Sequence, residues 1–155
     1  MARIYAPYVT DTAISFEETP PTANEFAARI ERSLSRWQWL VAESEDSVVG
    51  YAYGSPHRER AAYRWSVEVS VYVDRGFHRQ GLGRALYTRL LADLADKGFC
   101  HAYAGTTLPN DPSVKLHTAM GFTPIGVFRA IGWKFERWHD VAWFQRTLRD
   151  APPMA

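Results

Sequence analysis

The chain has 155 residues and a formal net charge of +1, with 46% hydrophobic and 23% charged residues. This length fits one domain with a substantial core, and the near-neutral charge argues against a dedicated nucleic-acid binder. One cysteine, Cys100, excludes a disulfide framework and a cysteine-rich zinc site, and no apolar run is long enough to cross a bilayer.

These limits predict a cytoplasmic protein with no nucleic-acid or membrane partner.

In chain order, the letters ARIYAPYV are typical of the end of a helix, and TANEFAARIERSLSR predicts a second helix. Thr22 and Glu25 match a capping box, while Phe26, Ile30 and Leu34 recur every four residues and predict one buried stripe. The apolar segments WQWLVAES and VVGYAYGS flank the turn EDS and predict a β-hairpin.

The middle of the chain predicts a loop, a strand and a long helix. The segment SPHRERAAY is a polar loop, and RWSVEVSVYV alternates Val with polar residues at the period of a strand. After a short basic loop, Leu82, Leu86, Leu90 and Leu94 repeat on one face of a helix, and Gly98 suits its C-terminal end.

The C-terminal third predicts a strand, FCHAYAGT, then a short helix and two strands. In NDPSVKLHTAMGF, Asp111 suits the N-cap, Pro112 the first turn and Gly121 the end of the helix. The strands TPIGVFRAI and DVAWFQRTL flank a predicted loop, GWKFERWH, and the tail at residues 149–155 is expected to be frayed. We therefore expect one mixed α/β domain over residues 1–155.

The loop DRGFHRQGLGR, before the leucine-spaced helix, favours anion binding. Gly81 and Gly83 let the backbone approach a ligand, and the amides from Arg79 to Arg84 lie near a helix N-terminus, which favours phosphate. An ordinary glycine turn with a solvated basic face explains the same letters. A Walker A loop is excluded because G-K-[ST] is absent, and Leu86 stands where a Rossmann loop has its third Gly.

Five ordered blocks between residues 10 and 148 resemble the GNAT superfamily of N-acetyltransferases, and within it the phosphinothricin N-acetyltransferase branch. The blocks are SFEETPPT, RWSVEVSVYV, GLGRALYTRLL, LPNDPSVKLH and GWKFERWHDV. The glycine loop resembles the superfamily's pyrophosphate loop for acyl-CoA. The resemblance implies an α/β fold with a mixed, mostly antiparallel twisted sheet flanked by helices. It also implies acetyl-CoA as co-substrate between splayed central strands, and a homodimer.

Two features depart from the family pattern. His78 stands where the family usually has Gln or Arg, so we expect a weaker or pH-dependent side-chain contact to pyrophosphate. The family's first β-strand, which precedes ARIYAPYV, is apparently missing. We expect its absence to leave the neighbouring strand with an unpaired edge.

Acetyl transfer to an amine needs a base for the ammonium, donors for the oxyanion and a proton for the leaving thiolate. Glu68 lies on the polar phase of the valine-rich strand, and periodicity alone fits a solvent-facing Glu paired with an Arg. The resemblance implies that Glu68 is the base. It also implies an oxyanion donor at the backbone near Val71, and a cofactor arm along Tyr72 and Val73.

His117 occupies the position where many superfamily members carry a general-acid Tyr. An imidazole with an ordinary pKa of about 6.5 is able to protonate a thiolate at neutral pH, but a His that only contacts the cofactor or Asn110 fits equally. Asn110 is expected to contact the cofactor through its amide. The cofactor-binding residues that the resemblance implies are Val71, Tyr72, Val73, His78, Arg79, Gln80, Gly81, Leu82, Gly83, Arg84 and Asn110.

The substrate side is predicted in the loop before the Glu68 strand. An Arg there is able to clamp a carboxylate or phosphinate, although each Arg also fits a solvated loop charge. Trp143 is expected to help wall the pocket. The predicted substrate-binding residues are Phe16, Arg60, Tyr63 and Arg64.

No metal site is expected. His57, His101 and His139 show no ligand spacing, and we interpret them as structural or exposed. Cys100 lies outside the motifs, so no acyl-enzyme is expected.

The function that these observations favour is acetyl-CoA-dependent N-acetylation of the α-amine of a small amino-acid analogue, by direct transfer in a ternary complex. The branch suggests phosphinothricin, methionine sulfoximine and methionine sulfone as substrates. One alternative is an acetyltransferase of another amine, such as a polyamine, an aminoglycoside or a protein N-terminus. The other is a non-catalytic acyl-CoA-binding module.

Overall fold

A computed structural model describes residues 1–154 and shows four α-helices and one six-stranded sheet. The helices are α1 (Ala2–Thr10), α2 (Ala23–Leu34), α3 (Leu82–Asp96) and α4 (Asp111–Ala119). The strands are β1 (Trp39–Ser44), β2 (Ser47–Pro56), β3 (Ser66–Val73), β4 (His101–Thr107), β5 (Thr123–Lys134) and β6 (Arg137–Thr147). None of the helices in residues 1–154 has the length and apolarity needed to cross a membrane.

The strand order is β1-β2-β3-β4-β6-β5, and every neighbouring pair is antiparallel except β3 and β4. This confirms the predicted mixed, mostly antiparallel sheet with flanking helices. The parallel step follows from the connection, because α3 carries the chain back across the sheet between β3 and β4. β1 and β5 form the two edges of the sheet.

The leucine stripe of α3 packs on one face of the sheet. Leu86, Leu90 and Leu94 are buried against Val67 and Val69 of β3 and their neighbours, as the four-residue spacing predicts. Each buried Leu contributes about 2 kcal/mol of hydrophobic stabilisation. This cluster fixes the position of the helix N-terminus that follows the glycine loop.

The opposite face of the sheet carries a second cluster, built from aromatic rings. Tyr5 and Tyr8 of α1 and Phe26 of α2 pack against Tyr51 of β2. The predicted capping box of α2 is present, with Thr22 and Glu25 bonded reciprocally. The two clusters leave α1 and α2 on one side of the sheet and α3 on the other.

Three local predictions are wrong. Leu34 is 50% exposed. Four residues turn a helix by about 400°, which is about 40° more than one full turn, so each step of four moves the side chain farther around the helix. Two such steps separate Leu34 from Phe26 and carry it off the buried face. The N-cap of α4 is Asn110, whose Oδ1 accepts from the Ser113 amide, and Asp111 is the first helical residue. The third error concerns the predicted loop GWKFERWH.

That segment is the tip of a tight hairpin. β5 continues to Lys134 and β6 starts at Arg137, so only Phe135 and Glu136 form the turn, and both have positive φ angles, 53° and 57°. Two consecutive residues with positive φ are typical of a type I′ hairpin turn, whose twist matches that of the flanking strands. These two positions usually contain Asn or Gly. After Thr147 no helix or strand is found up to residue 154. The predicted frayed tail also includes Ala155, which lies outside the described residues.

Candidate active site

The two central parallel strands separate soon after they pair. β3 and β4 pair only where Ser66–Glu68 meet His101–Tyr103, although β3 runs on to Val73 and β4 to Thr107. A cavity of about 70 Å³ lies in the gap. Its walls are Ile14, Val69, Ser70, Val71, Tyr72, Tyr87, Gly105, Thr106, Thr107, Asn110, Ser113 and His117. Within residues 1–154, no strand pairs with this edge of β3 beyond Glu68.

Glu68 is the last residue of β3 to pair with β4, so it lies at the point where the gap opens. Its side chain is only 29% exposed, and Oε1 lies 3.0 Å from His57 Nδ1 and 3.6 Å from an Arg58 guanidinium nitrogen. Burial raises the pKa of Glu68 above that of an ordinary carboxyl, and the contacts with His57 and Arg58 partly offset the rise. The carboxylate is therefore better suited to accept a proton than an exposed Glu is.

His57 is a site residue that the sequence did not indicate. Its ring is stacked on Tyr103 with centroids 4.5 Å apart, and its edge meets Tyr63 and Trp143. The contact with Glu68 arises because β2 pairs with β3 so that Ser55 stands opposite Glu68, two residues before His57. No local signal in the polar loop after β2 predicts this tertiary contact.

The glycine loop places an uncapped helix N-terminus near the gap. Gly81 is the N-cap of α3 with φ 78°, and it offers no side-chain acceptor to the first turn of the helix. Arg79 also has a positive φ, 62°, and Arg79, Gln80 and Arg84 are exposed. The first-turn amides, including those of Leu82 to Arg84, thus have no helical partner and are available to an anion.

Two residues of the loop have a different environment from the predicted one. His78 Nε2 lies 3.0 Å from the Val73 carbonyl oxygen and 3.0 Å from the Tyr8 hydroxyl, so its ring is directed toward β3 and α1. A Cβ on Gly83 would lie 3.3 Å from the Leu116 side chain. Gly83 therefore allows α3 to approach α4, in addition to any role toward a ligand.

His117 lies behind the gap and is 4% exposed. Its Nδ1 donates to the Ser113 carbonyl at 2.7 Å, and its Nε2 lies 3.2 Å from the Tyr87 hydroxyl. Burial lowers the pKa of His117, which favours the neutral ring. The ring also stacks on Phe144. At neutral pH, His117 is thus placed to accept a hydrogen bond from Tyr87, which itself lines the gap.

The predicted substrate residues are not all in one place. Arg60, Tyr63 and Arg64 line a cavity of about 340 Å³ in the β2–β3 loop, together with Arg36 and Arg58. The lining also includes Glu59, so four arginines and one carboxylate give the cavity a net positive charge. Phe16 lies elsewhere, against the β5 backbone, where a Cβ on Gly132 would clash with its ring.

The loop that carries Phe16 is held by a buried ammonium. Lys134 is 6% exposed, and its Nζ donates to the carbonyl oxygens of Val9, Thr12, Ser15 and Glu17 at 2.6 to 2.9 Å. Four carbonyl contacts to one cation fix the segment between α1 and α2 to the tip of the β5–β6 hairpin. The sequence placed Lys134 in a loop and did not predict this contact.

A larger cavity, of about 490 Å³, lies between α2 and strands β1 and β2. Its walls are Tyr5, Phe26, Arg29, Arg32, Ser33, Trp37, Trp39, Tyr51, Tyr53, Ser55 and Pro56. Ser55 stands opposite Glu68 in the β2–β3 pair, so the cavity reaches the neighbourhood of the candidate base. Among the described residues, no group of three His, Cys, Asp or Glu side chains is arranged to hold a metal ion.

Comparison with known proteins agrees with this geometry. The profile of the acetyltransferase (GNAT) family matches residues 3–122. The chain belongs to this family of N-acetyltransferases. A phosphinothricin N-acetyltransferase of Streptomyces viridochromogenes is 45% identical over 147 residues, which cover 94% of this chain and 80% of the relative. An L-methionine sulfoximine/L-methionine sulfone acetyltransferase of Salmonella typhimurium is 34% identical over 149 residues, covering 96% and 87%.

Solved structures of GNAT proteins show the same fold. A phosphinothricin acetyltransferase from Sinorhizobium meliloti in complex with acetyl-CoA superposes with a TM-score of 0.94 at 34% identity, covering 99% of this chain and 86% of that one. A putative acetyltransferase from Salmonella typhimurium with its cofactor acetyl-CoA gives a TM-score of 0.94 at 32% identity, covering 99% and 91%. The resemblance to the phosphinothricin N-acetyltransferase branch is thereby confirmed.

Proposed function

We propose that this GNAT protein transfers the acetyl group of acetyl-CoA to the α-amine of a small amino-acid analogue, by direct transfer in a ternary complex. The observation that carries the proposal is the half-buried Glu68, held by His57 and Arg58 at the point where β3 and β4 separate. The named activities of the relatives support the choice of substrate class.

The residues of the glycine loop fit an acyl-CoA. The uncapped first turn of α3 offers backbone amides to the pyrophosphate, and Arg79 and Arg84 add positive charge beside it. The free edge of β3 from Val71 to Val73 is assigned to the pantetheine arm, and Asn110 to a contact through its side-chain amide. When bound, acetyl-CoA supplies an acetyl group activated as a thioester. The ring of His78 bonds Val73 and Tyr8, which supports the weak side-chain contact to pyrophosphate that the sequence predicts.

We assign the role of general base to Glu68. It takes a proton from the substrate ammonium, directly or through a water, and the free amine then attacks the thioester carbonyl. The C–N bond forms, the C–S bond breaks, and the second proton lost by the nitrogen balances the one that the leaving thiolate gains. A backbone N–H near Val71, on the unpaired edge of β3, is assigned to the oxyanion.

The proton for the leaving thiolate is assigned to the pair of His117 and Tyr87. Direct donation by His117 needs a protonated ring, which its lowered pKa disfavours at neutral pH. Burial raises the pKa of Tyr87, so its hydroxyl, which lines the gap, keeps its proton at neutral pH. We therefore place His117 behind Tyr87 in this step, with the Tyr87 hydroxyl as the group that faces the gap.

The arginines of the β2–β3 loop favour an anionic substrate over a cationic one. Arg58 lies next to the candidate base, and Arg60 and Arg64 line the adjoining cavity. A guanidinium binds a carboxylate or phosphinate through two parallel hydrogen bonds. Phosphinothricin, methionine sulfoximine and methionine sulfone each combine an α-amine with such an anionic or strongly polar end. A polyamine or an aminoglycoside would meet repulsion here.

A homodimer is proposed from the exposed face of the β5–β6 hairpin. Its large apolar side chains are mostly exposed, with Trp133 and Trp138 at 55% and 60%. The others are Ile125, Val127, Phe128, Ile131 and Phe135. An apolar surface of this kind is typical of an interface, and a second copy of the chain is the occupant that we propose. A cytoplasmic location and one domain over residues 1–155 stay predictions of the sequence.

The test of this function is release of free thiol from acetyl-CoA with a panel of amines. The panel contains phosphinothricin, methionine sulfoximine, methionine sulfone, glutamate, a polyamine and an aminoglycoside. Turnover confined to the first three supports the proposal. Turnover of the polyamine or aminoglycoside would point to another amine, and calorimetric binding of acetyl-CoA without any turnover would point to a binding module.

A further inference from the structure

We infer that His57 is a positioning residue for Glu68, which orients the carboxylate and keeps it ionised for proton transfer. The inference rests on the proposed function, since it assigns a partner to the proposed base. His57 lies in a segment that the sequence predicts as a plain polar loop.

The position of the imidazole ring is fixed independently of Glu68. One face is stacked on Tyr103, with an interplanar angle of 17°, and the ring edge meets Tyr63 and Trp143 at centroid distances of 5.8 and 6.4 Å. Its side chain is only 16% exposed. A ring held on several sides presents Nδ1 in one direction, and Glu68 Oε1 lies 3.0 Å away in that direction.

The contact requires one arrangement of the proton. An ionised carboxylate only accepts hydrogen bonds, so His57 Nδ1 must carry the proton and donate it to Oε1. This bond fixes one oxygen of Glu68 and leaves the other to face a substrate ammonium or a bridging water. The arrangement is the one in which an imidazole supports a general base without contacting the substrate itself.

Arg58 does not replace His57. Its guanidinium nitrogen lies 3.6 Å from Oε1, beyond good hydrogen-bond distance, and its side chain is 52% exposed. Its attraction to the carboxylate is therefore screened by water. Among the described residues, the charged or titratable groups that act on Glu68 are His57 and Arg58 of the β2–β3 loop, while Tyr63 and Tyr103 contact the imidazole. His57 is thus the partner that both orients and stabilises the ionised form.

Two variants separate the hydrogen bond from the packing. His57→Phe keeps a ring that is able to stack on Tyr103 but has no donor, whereas His57→Asn keeps a donor close to the Nδ1 position and loses most of the ring. In His57→Phe the burial of Glu68 is no longer offset by the imidazole, so its pKa rises further. The acid limb of the kcat/KM profile should therefore move to higher pH, and kcat should fall about tenfold to a hundredfold. KM for acetyl-CoA should stay unchanged.

His57→Asn should restore much of the rate and bring the acid limb back toward its original position. The matched controls are His101→Phe and His101→Asn, at a residue of β4 whose ring contacts Thr147 and takes no part in the site. Both controls should leave the profile unchanged. An acid limb that does not move in His57→Phe, or a His57→Asn variant that behaves like His57→Phe, would overturn the inference.

A second measurement needs no catalytic activity. The titration of the Glu68 carboxyl is followed by NMR in free protein with 13C-labelled Glu, and Glu68→Gln identifies the resonance. A midpoint that moves to higher pH in His57→Phe supports the positioning role even if no amine on the panel is acetylated. An unchanged midpoint contradicts it even if the enzyme is active, so the two proposals fail separately.

Discussion

Replacing Lys134 with Met tests the contact that joins the α1–α2 loop to the β5–β6 hairpin. The ammonium donates to four backbone carbonyls at 2.6 to 2.9 Å, and the side chain is almost fully buried. Each hydrogen bond to a charged group contributes about 1.5–3 kcal/mol, but the desolvation of the ammonium offsets a large part of that sum. Met fills similar volume and removes every donor, so the carbonyls of the loop lose a partner inside the protein.

We expect Lys134→Met to lower the free energy of unfolding by about 2–4 kcal/mol. At about 2–4 °C per kcal/mol for a domain of this size, the midpoint temperature falls by about 4–16 °C. Urea denaturation monitored by Trp fluorescence measures the first quantity, and calorimetry the second. The matched control is Lys115→Met, at an exposed position of α4, which should change stability by less than about 0.5 kcal/mol. Equal losses in both variants would show that the four carbonyl contacts of Lys134 add no stability.

Three further predictions concern the glycine loop, His117 and the β5–β6 hairpin. Gly81→Ala places a Cβ on a residue with φ 78°, which should lower the free energy of unfolding by about 1–2 kcal/mol. The variant should also bind acetyl-CoA more weakly in calorimetry. An unchanged affinity would contradict the role of the glycine loop in binding the cofactor. Because the pKa of His117 is lowered in the folded state, the unfolded chain binds more protons below the ordinary value of 6.5. Stability to urea should therefore fall as pH drops below about 6.5, and this slope should flatten in His117→Gln; an identical slope would exclude His117 as its source. Replacing both Trp133 and Trp138 with Glu should convert the proposed dimer to a monomer in light scattering, and a dimer that persists would place the interface elsewhere.

The elements that sequence periodicity determines were predicted well. Alternation from Ser66 to Val73 identifies β3, because a strand with one face on a core needs a period of two. The leucines of α3 and the positive-φ glycines Gly98 and Gly121 mark where α3 and α4 lie and end, since these are local requirements of the backbone. The order of motifs then indicated the GNAT fold as a whole.

The contacts that build the site depend on how distant elements meet, and local patterns do not contain them. His57 contacts Glu68 only because β2 and β3 pair in one register. The ammonium of Lys134 is buried because the tip of the β5–β6 hairpin reaches a loop about 120 residues earlier in the chain. Each of its four hydrogen bonds therefore joins residues that are distant in sequence. The Phe135 and Glu136 turn was missed because neither residue is typical of positive φ. In the same way, burial lowers the pKa of His117, and the sequence alone does not show that this His is buried.

The role of Glu68 as the base is tested by comparing wild-type protein with Glu68→Gln in the thiol-release assay, with acetyl-CoA and methionine sulfone or phosphinothricin as substrates. Gln keeps the size of the side chain and removes the base. We expect turnover by the wild type, a fall in kcat of about a hundredfold or more in the variant, and equal affinity of both proteins for acetyl-CoA by calorimetry. Equal turnover by the two proteins across the pH range would contradict the assignment of Glu68 and the mechanism built on it.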